Sequence, residues 1–411
     1  MRAIDPKDFT KATRGTSREI NRQIVLTLIR THQPVSRADL ARMMETNRAN
    51  ITLLVNELLE EKLIREGAQG SLRVPGRKPT FLYINSDRGI AIGFDVRPTR
   101  TFMMITDAIG KQIGEIVGFP TKFDPKEFAA SLGWQARKAL GEAGLGTSLA
   151  LCDGVGLVIP GMVDRETGVV INAPKLGWKN VDLTELLRDE FDVSDIHLEN
   201  SGRACVLSQV WSTRRDTNGR DNIVFVSVSD GIGVGVLVNG ELVRGQHNTA
   251  GEFGHVPLSI DGPECSCGAH GCWEAYISNL ATLSRYFGRG DSFRKPSSIE
   301  VADFTIEDLI ARARSGDAKA LTVLDSTARY LGLGLATVIN VIDPTVVYIG
   351  GEITDAWDLI EPQVREAVSE RTLTKELSRT AIRIVPAAEH PRLRGAVALV
   401  TARAFAAPKV A

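Results

Sequence analysis

Apolar residues recur at mostly helical spacing along residues 19–31, where Ile20, Ile24, Leu26, Leu28 and Ile29 interrupt a polar run. Ser36-Arg-Ala-Asp then predicts a second helix, with a serine N-cap and a carboxylate in the first turn, and Leu40, Ala41 and Met44 on one face. After a short turn Asn47 caps a third helix, with Ile51, Leu54, Val55, Leu58 and Leu59 pointing inward. Leu63-Ile64-Arg65 and Phe81-Leu82-Tyr83-Ile84 read as two strands around the glycine-bounded segment 67–76. From about residue 86 strands alternate with helices. Residues 89–96 and 101–106 predict a hairpin, 126–143 a helix, and 154–161 a strand ending in a turn. Residues 222–229 and 231–240 begin the same hairpin again, 300–340 are strongly helical, and 345–351 are a strand. Two α/β lobes, each opening on a hairpin, would leave a cleft between them.

A chain of 411 residues is too long for one ordinary core. The pattern divides it into an N-terminal arm (1–18), a helical module with a wing (19–85) and the α/β body (86–411). Helix, short turn, helix and two strands make a winged helix-turn-helix, whose second helix can enter a major groove. Its exposed positions Arg48, Asn50 and Thr52 are residue types that hydrogen-bond base edges. Val-Pro-Gly-Arg-Lys-Pro (74–79) presents Arg77 and Lys78 on a stiffened backbone, suited to a minor groove or a phosphate. Arg14, Arg18 and Arg22 would add phosphate contacts without specificity. A small protein-docking domain shares this helical outline, and 74–79 could be only a linker.

Charge favours the nucleic-acid reading. Residues 1–80 hold 15 Lys+Arg against 9 Asp+Glu, and the remainder 34 against 41, although the whole chain carries only −1. A basic head on an acidic body suits an anionic partner. The start lacks the apolar core of a signal peptide and no apolar run is long enough to span a bilayer, so the expectation is a cytoplasmic, nucleoid-associated protein without a membrane partner.

One segment carries metal chemistry. Gly-Glu-Phe-Gly-His (251–255) is followed, nine residues later, by Cys-Ser-Cys-Gly-Ala-His-Gly-Cys-Trp-Glu (265–274). Three thiolates from Cys265, Cys267 and Cys272 with the imidazole of His255 suit a closed tetrahedral Zn²⁺ site, structural and one per chain, within a loop spanning 251–275. Disulfides are the alternative, but three clustered cysteines cannot all pair. Cys152 and Cys205, in apolar or small-residue surroundings, read as buried free thiols.

These motifs, with Ile-Pro-Gly-Met-Val-Asp (159–164), Leu-Gly-Trp (176–178) and Asp-Pro-Thr-Val-Val-Tyr-Ile-Gly-Gly (343–351), make residues 86–405 resemble the ROK family (repressors, open reading frames and sugar kinases). With the winged helix in front, the chain resembles that family's transcriptional regulators. The resemblance implies an α/β body with the two-lobed actin-like, sugar-kinase fold. It also implies a sugar held by Glu252, His255, Glu274, Asn200 and the backbone of Gly161, and assembly as a homodimer or homotetramer. Carboxylate and amide groups suit vicinal hydroxyls, and a metal beside His255 would fix its geometry. Asn200 could equally cap a helix.

The kinase half of the family pattern is missing. Ser201 stands where a kinase places the aspartate that acts as general base. Arg97-Pro98 replaces the glycines of the first phosphate loop, and Ser229-Asp230 replaces the Gly-Thr of the second. Gly350-Gly351 survives and is followed by Glu352. The expectation is a sugar-responsive repressor with no catalytic residue, binding an inverted-repeat operator. The alternatives are a sugar kinase tethered to DNA, which Ser201 argues against, and a repressor controlled by a protein partner.

Overall fold

The computed structural model describes residues 14–69, 79–149, 152–212, 221–288 and 304–402. The first apolar stripe becomes α1 (Arg14–His32), which starts inside the expected arm. Val25, Leu26 and Ile29 are buried, whereas Ile24 is 41 % exposed and Leu28 only half-buried. The expected stripe holds at Leu26 and Ile29 and fails at Ile24, whose place in the core Val25 takes: one step is about 100° of helix, and Val25 with Ile29 faces the other helices. After β1 (Val35–Ser36), α2 (Arg37–Met43) opens on a full capping box, with Ser36 and Asp39 satisfying each other's backbone N–H. The α3 helix (Arg48–Glu60) is capped by Asn47, whose side chain accepts from Asn50 N at 2.8 Å. Ile51, Leu54, Val55 and Leu58 complete this core. The wing, β2 (Ile64–Gln69) and β3 (Thr80–Ile84), is joined by β1 in the order β1-β3-β2.

Two of the expected phosphate contacts are otherwise engaged. Arg18 pairs with Glu57, and Arg22 pairs with Glu19 at 3.0 Å and Glu61 at 2.9 Å, tying α1 to α3. Arg77, Lys78 and the Arg14 side chain lie outside the described residues.

The first lobe contains β4 (Ile90–Val96), β5 (Arg100–Asp107), β6 (Gln112–Pro120), α4 (Pro125–Glu142), β7 (Cys152–Ile159), β8 (Met162–Asp164), β9 (Val169–Ala173), β10 (Trp178–Asp182), α5 (Leu183–Phe191) and β11 (Ile196–Asn200). Its main sheet runs β11-β7-β4-β5-β6, with β4, β7 and β11 parallel. Those three strands are buried along nearly their whole length, as parallel strands covered on both faces must be. The α6 helix (Ser201–Ser212) leads to the second lobe. There β12 (Ile223–Val228), β13 (Ile232–Val238) and β14 (Glu241–Leu242) precede α7 (Glu274–Ile277), α8 (Asn279–Tyr286), α9 (Ile306–Arg314) and α10 (Ala318–Ile342). The chain ends on β15 (Val346–Gly350), α11 (Trp357–Arg371), α12 (Lys375–Ser378), β16 (Ala381–Val385) and α13 (Pro391–Thr401). This sheet runs β14-β13-β12-β15-β16. The repeated hairpin-first arrangement is therefore present, and α13 crosses back to pack Leu393 and Val397 with Ala91 and Met104 of the first lobe. No helix among the described residues is long and apolar enough to cross a membrane.

Candidate functional site

The chain between β14 and α7 packs Val243, Phe253, Leu258 and Trp273 onto the core of the second lobe, and the rest of it is shaped by short-range geometry. A tight turn at Phe253–His255 presents His255, and isolated bridges join Pro257 to Cys272 and Glu264 to His270. Gly268 takes a φ of +88°, allowing the two cysteine-bearing limbs to meet. One ligand atom each from His255, Cys265, Cys267 and Cys272 then lies within 4.8 Å of the others, so the cluster could hold a metal ion. His255 Nδ1 is 3.6 Å from Cys265 Sγ, and the Cys267 and Cys272 sulfurs are 3.7 Å apart. A tetrahedral ion with bonds of about 2.3 Å to sulfur and about 2.0 Å to nitrogen sets such pairs about 3.5 and 3.8 Å apart. Burial and the crowding thiols push Cys272 up to about 12. A divalent cation supplies the charge that lets these thiols ionise together.

The other ring nitrogen of His255 faces away from this cluster. Its Nε2 lies 3.9 Å from Glu252 Oε2. Glu252 is half-buried, and burial raises its pKa, opposed by His255 and Arg203 and reinforced by Glu274. Glu274 is only 7 % exposed and both its oxygens are engaged. Oε2 accepts from Ile232 N at 2.7 Å and Oε1 from the Ser266 hydroxyl at 3.0 Å, pinning the metal loop to β13. On the first lobe, Asn200 ends β11. Its Oδ1 accepts from Gly202 N, capping α6, and its Nδ2 donates to Gly161 O, both at 2.9 Å. The capping role is thus real, and the same amide also fixes the Pro-Gly turn. Gly161 must be glycine, since a Cβ there would lie 2.5 Å from Asn172 O. The structure therefore groups Glu252, His255 and Glu274 on the second lobe, and Asn200 with Gly161 on the first.

A buried charge network between these groups was not foreseen. Glu199 and Arg203 each have a side chain only 1 % exposed, paired at 2.6 Å, and Glu199 Oε2 also meets Arg244 Nη2 at 3.1 Å. Arg203 Nη1 donates to Asn248 O at 3.1 Å, holding the segment that leads to Glu252. The only sequence signal was a Glu and an Arg four residues apart. Ser201 begins α6 opposite Gly233, with its hydroxyl 3.3 Å from where a Cβ on that glycine would sit. Where the first phosphate loop would wrap, buried Asp95 takes Arg97 Nε at 2.9 Å and Arg392 Nε at 3.3 Å on one oxygen. Arg97 also reaches Glu352 of the second lobe at 3.8 Å.

On the winged helix, Arg48, Asn50 and Thr52 are all exposed. The Thr52 hydroxyl donates to Arg48 O at 2.8 Å, leaving its lone pairs outward. Leu53, 60 % exposed, and exposed Asn56 share the surface of α3 and were missed because neither fits an inward stripe.

A winged helix joined to a two-lobed sugar-kinase-type body, with a Cys/His cluster able to hold a metal ion, defines a transcriptional regulator built on a kinase fold. The sequence profile of the ROK family matches residues 144–403, and the chain belongs to that family. It is 26 % identical over 397 residues to a xylose repressor of Caldicellulosiruptor bescii, covering 96 % of this chain and 98 % of that one. A solved ROK family transcriptional regulator, described as a homologue of the Escherichia coli Mlc protein, superposes with a TM-score of 0.77 at 25 % identity, covering 95 % and 97 % of the two chains. A glucokinase of Thermotoga maritima is 34 % identical over 206 residues, 47 % of this chain and 63 % of the enzyme. These two regulators thus match over nearly the whole chain, and that kinase over about half of it.

Proposed function

We propose that this protein is a sugar-responsive repressor whose ROK body senses its effector without phosphorylating it. The observation that carries the reading is the asymmetry of the cleft. Asn200 lies against Gly161, and Glu252 lies against His255 and near Glu274, a set suited to sugar hydroxyls, while Ser201 supplies no carboxylate base. The Arg97–Asp95–Arg392 cluster occupies the place of the first phosphate loop. Zn²⁺ is the ion whose bond lengths and ligand preference fit the Cys/His cluster, one per chain, with His255 Nδ1 on the metal and Nε2 turned to the sugar. A cytoplasmic homodimer binding an inverted repeat suits the winged helix, with Arg48, Asn50 and Thr52 reaching bases and Arg77 and Lys78 on the flanking groove.

The test is operator affinity with and without a sugar panel, beginning with xylose and extending to glucose, N-acetylglucosamine and glucose 6-phosphate. One sugar will change the affinity by about tenfold, and Glu252→Gln will abolish that change while free-protein operator binding stays nearly intact. A response surviving Glu252→Gln puts the sensor site elsewhere. ATP-dependent sugar phosphorylation on the order of one turnover per second refutes the non-catalytic reading.

Base reading has its own check. Arg48→Ala will relax sequence preference and cost about 1–3 kcal/mol of operator binding if the guanidinium grips a guanine. Equal binding by parent and variant to matched and mismatched sites, at physiological salt, removes Arg48 from the reading face.

A further inference from the structure

The α6 helix begins where the hydroxyl-binding half of the cleft ends. Asn200 caps it, and Arg203 in its first turn grips the Asn248 carbonyl just ahead of Glu252. Its flanks are packed backbone against backbone. A Cβ on Gly202 would lie 2.6 Å from Val234 N, and one on Gly395 of α13 would lie 2.6 Å from the Ala204 carbonyl carbon. Contacts this close leave no side-chain cushion to absorb a small displacement. Twelve helical residues form a rod about 18 Å long, so what moves its first turn moves its last.

The last turn meets the DNA-binding head. Arg30, near the end of α1, sets its guanidinium carbon 3.2 Å from the centroid of the Trp211 ring and donates from Nη2 to Trp211 O at 2.9 Å. Trp211 Nε1 lies 3.0 Å from where a Cβ on Gly110 would sit, and the preceding Ile109 packs against the core of the winged helix. The start of α1 is tied to α3 through Arg18 with Glu57 and Arg22 with Glu61. A path of contacts therefore runs from Asn200 and the Asn248 segment that leads to Glu252, along α6, through Trp211 and Arg30, to α1 and on to α3.

We propose that α6 carries the state of the sugar site to the DNA-binding head, and that the Arg30–Trp211 stack is its coupling point. This rests on the sensor reading above and names the positioning residues through which that sensor acts. Neither residue touches sugar or DNA in this scheme. Altering the stack disconnects the two sites while each still binds its own ligand.

The experiment uses the full chain, with xylose, glucose and N-acetylglucosamine as probes. Calorimetry gives sugar affinity, and anisotropy of a labelled operator gives DNA affinity with and without saturating sugar. Trp211→Ala will leave each separate affinity within about threefold of the parent, yet reduce a response of about tenfold to less than about twofold. Trp211→Phe keeps a ring face for the guanidinium and will retain part of the response. Arg30→Lys keeps the charge but loses the planar stack, and will lose most of it. If Trp211→Ala does not fold, the milder Arg30→Lys decides the matter. An undiminished response in a folded variant that lacks the stack overturns the proposal. A parent that binds operator but answers none of the probes refutes the sensor reading itself, a failure visible before any variant is made.

Discussion

Removing the metal will abolish the sugar response and loosen residues 251–275 while leaving the winged helix folded. Phe253, Leu258 and Trp273 anchor the ends of the segment to the main core, but its cysteine-bearing part rests on a small separate cluster of Cys265, Cys272 and Ala275. The order of that part therefore depends largely on the ligand bonds. Structural zinc sites carry on the order of 10 kcal/mol of binding free energy, more than any single side chain contributes. Without the ion, His255 Nδ1 is released and Nε2 loses its orientation toward Glu252. Metal analysis will give about one zinc per chain. Chelator-treated protein, or Cys272→Ala, will be cut by protease within the loop and will bind operator without responding to sugar. A metal-free protein that resists proteolysis and still responds contradicts this account.

Arg203→Met will destabilise the body by about 3–5 kcal/mol, the range seen when one partner of a buried ion pair is removed. Methionine fills similar space, but Glu199 would then hold a buried charge with only Arg244 opposite it. The segment around Asn248 would also lose its anchor. Adding Glu199→Gln to the same chain will recover little of the loss, because it also strips Arg244 of its carboxylate partner. Denaturant unfolding of the body measures both. A change below about 1 kcal/mol in the single variant shows that the pair is not the buried element described here.

What the sequence revealed and what it hid divide by separation along the chain. The caps at Ser36 and Asn47, the hairpins and the metal ligands are short-range patterns, each readable within about twenty residues. In the α1 stripe only Ile24 fails, because Ile24 and Val25 are equally apolar and only packing against α2 and α3 chooses between them. Arg18 and Arg22 looked available for phosphate because their acidic partners Glu57 and Glu61 lie 39 residues away. Family motifs marked Asn200, Glu252, His255 and Glu274. They could not show that Glu274 already accepts two hydrogen bonds, or that Asn200 both caps α6 and holds Gly161. Arg30 and Trp211 stand 181 residues apart, and nothing local in either stretch announces the other.

The ion pairs of the winged helix change how its salt dependence should be interpreted. Arg18, Arg22, Arg37 and Arg42 are each matched by a carboxylate of the same module, Glu57, Glu19 with Glu61, Glu66 and Asp39. Operator affinity falls with salt by about 0.9 logarithmic units per decade for each phosphate neutralised, as condensed counterions leave the DNA. A guanidinium already held by a carboxylate displaces none of them. The slope will therefore fall short of the number of basic residues in the head, and a steeper slope would mean that the pairs open when DNA arrives.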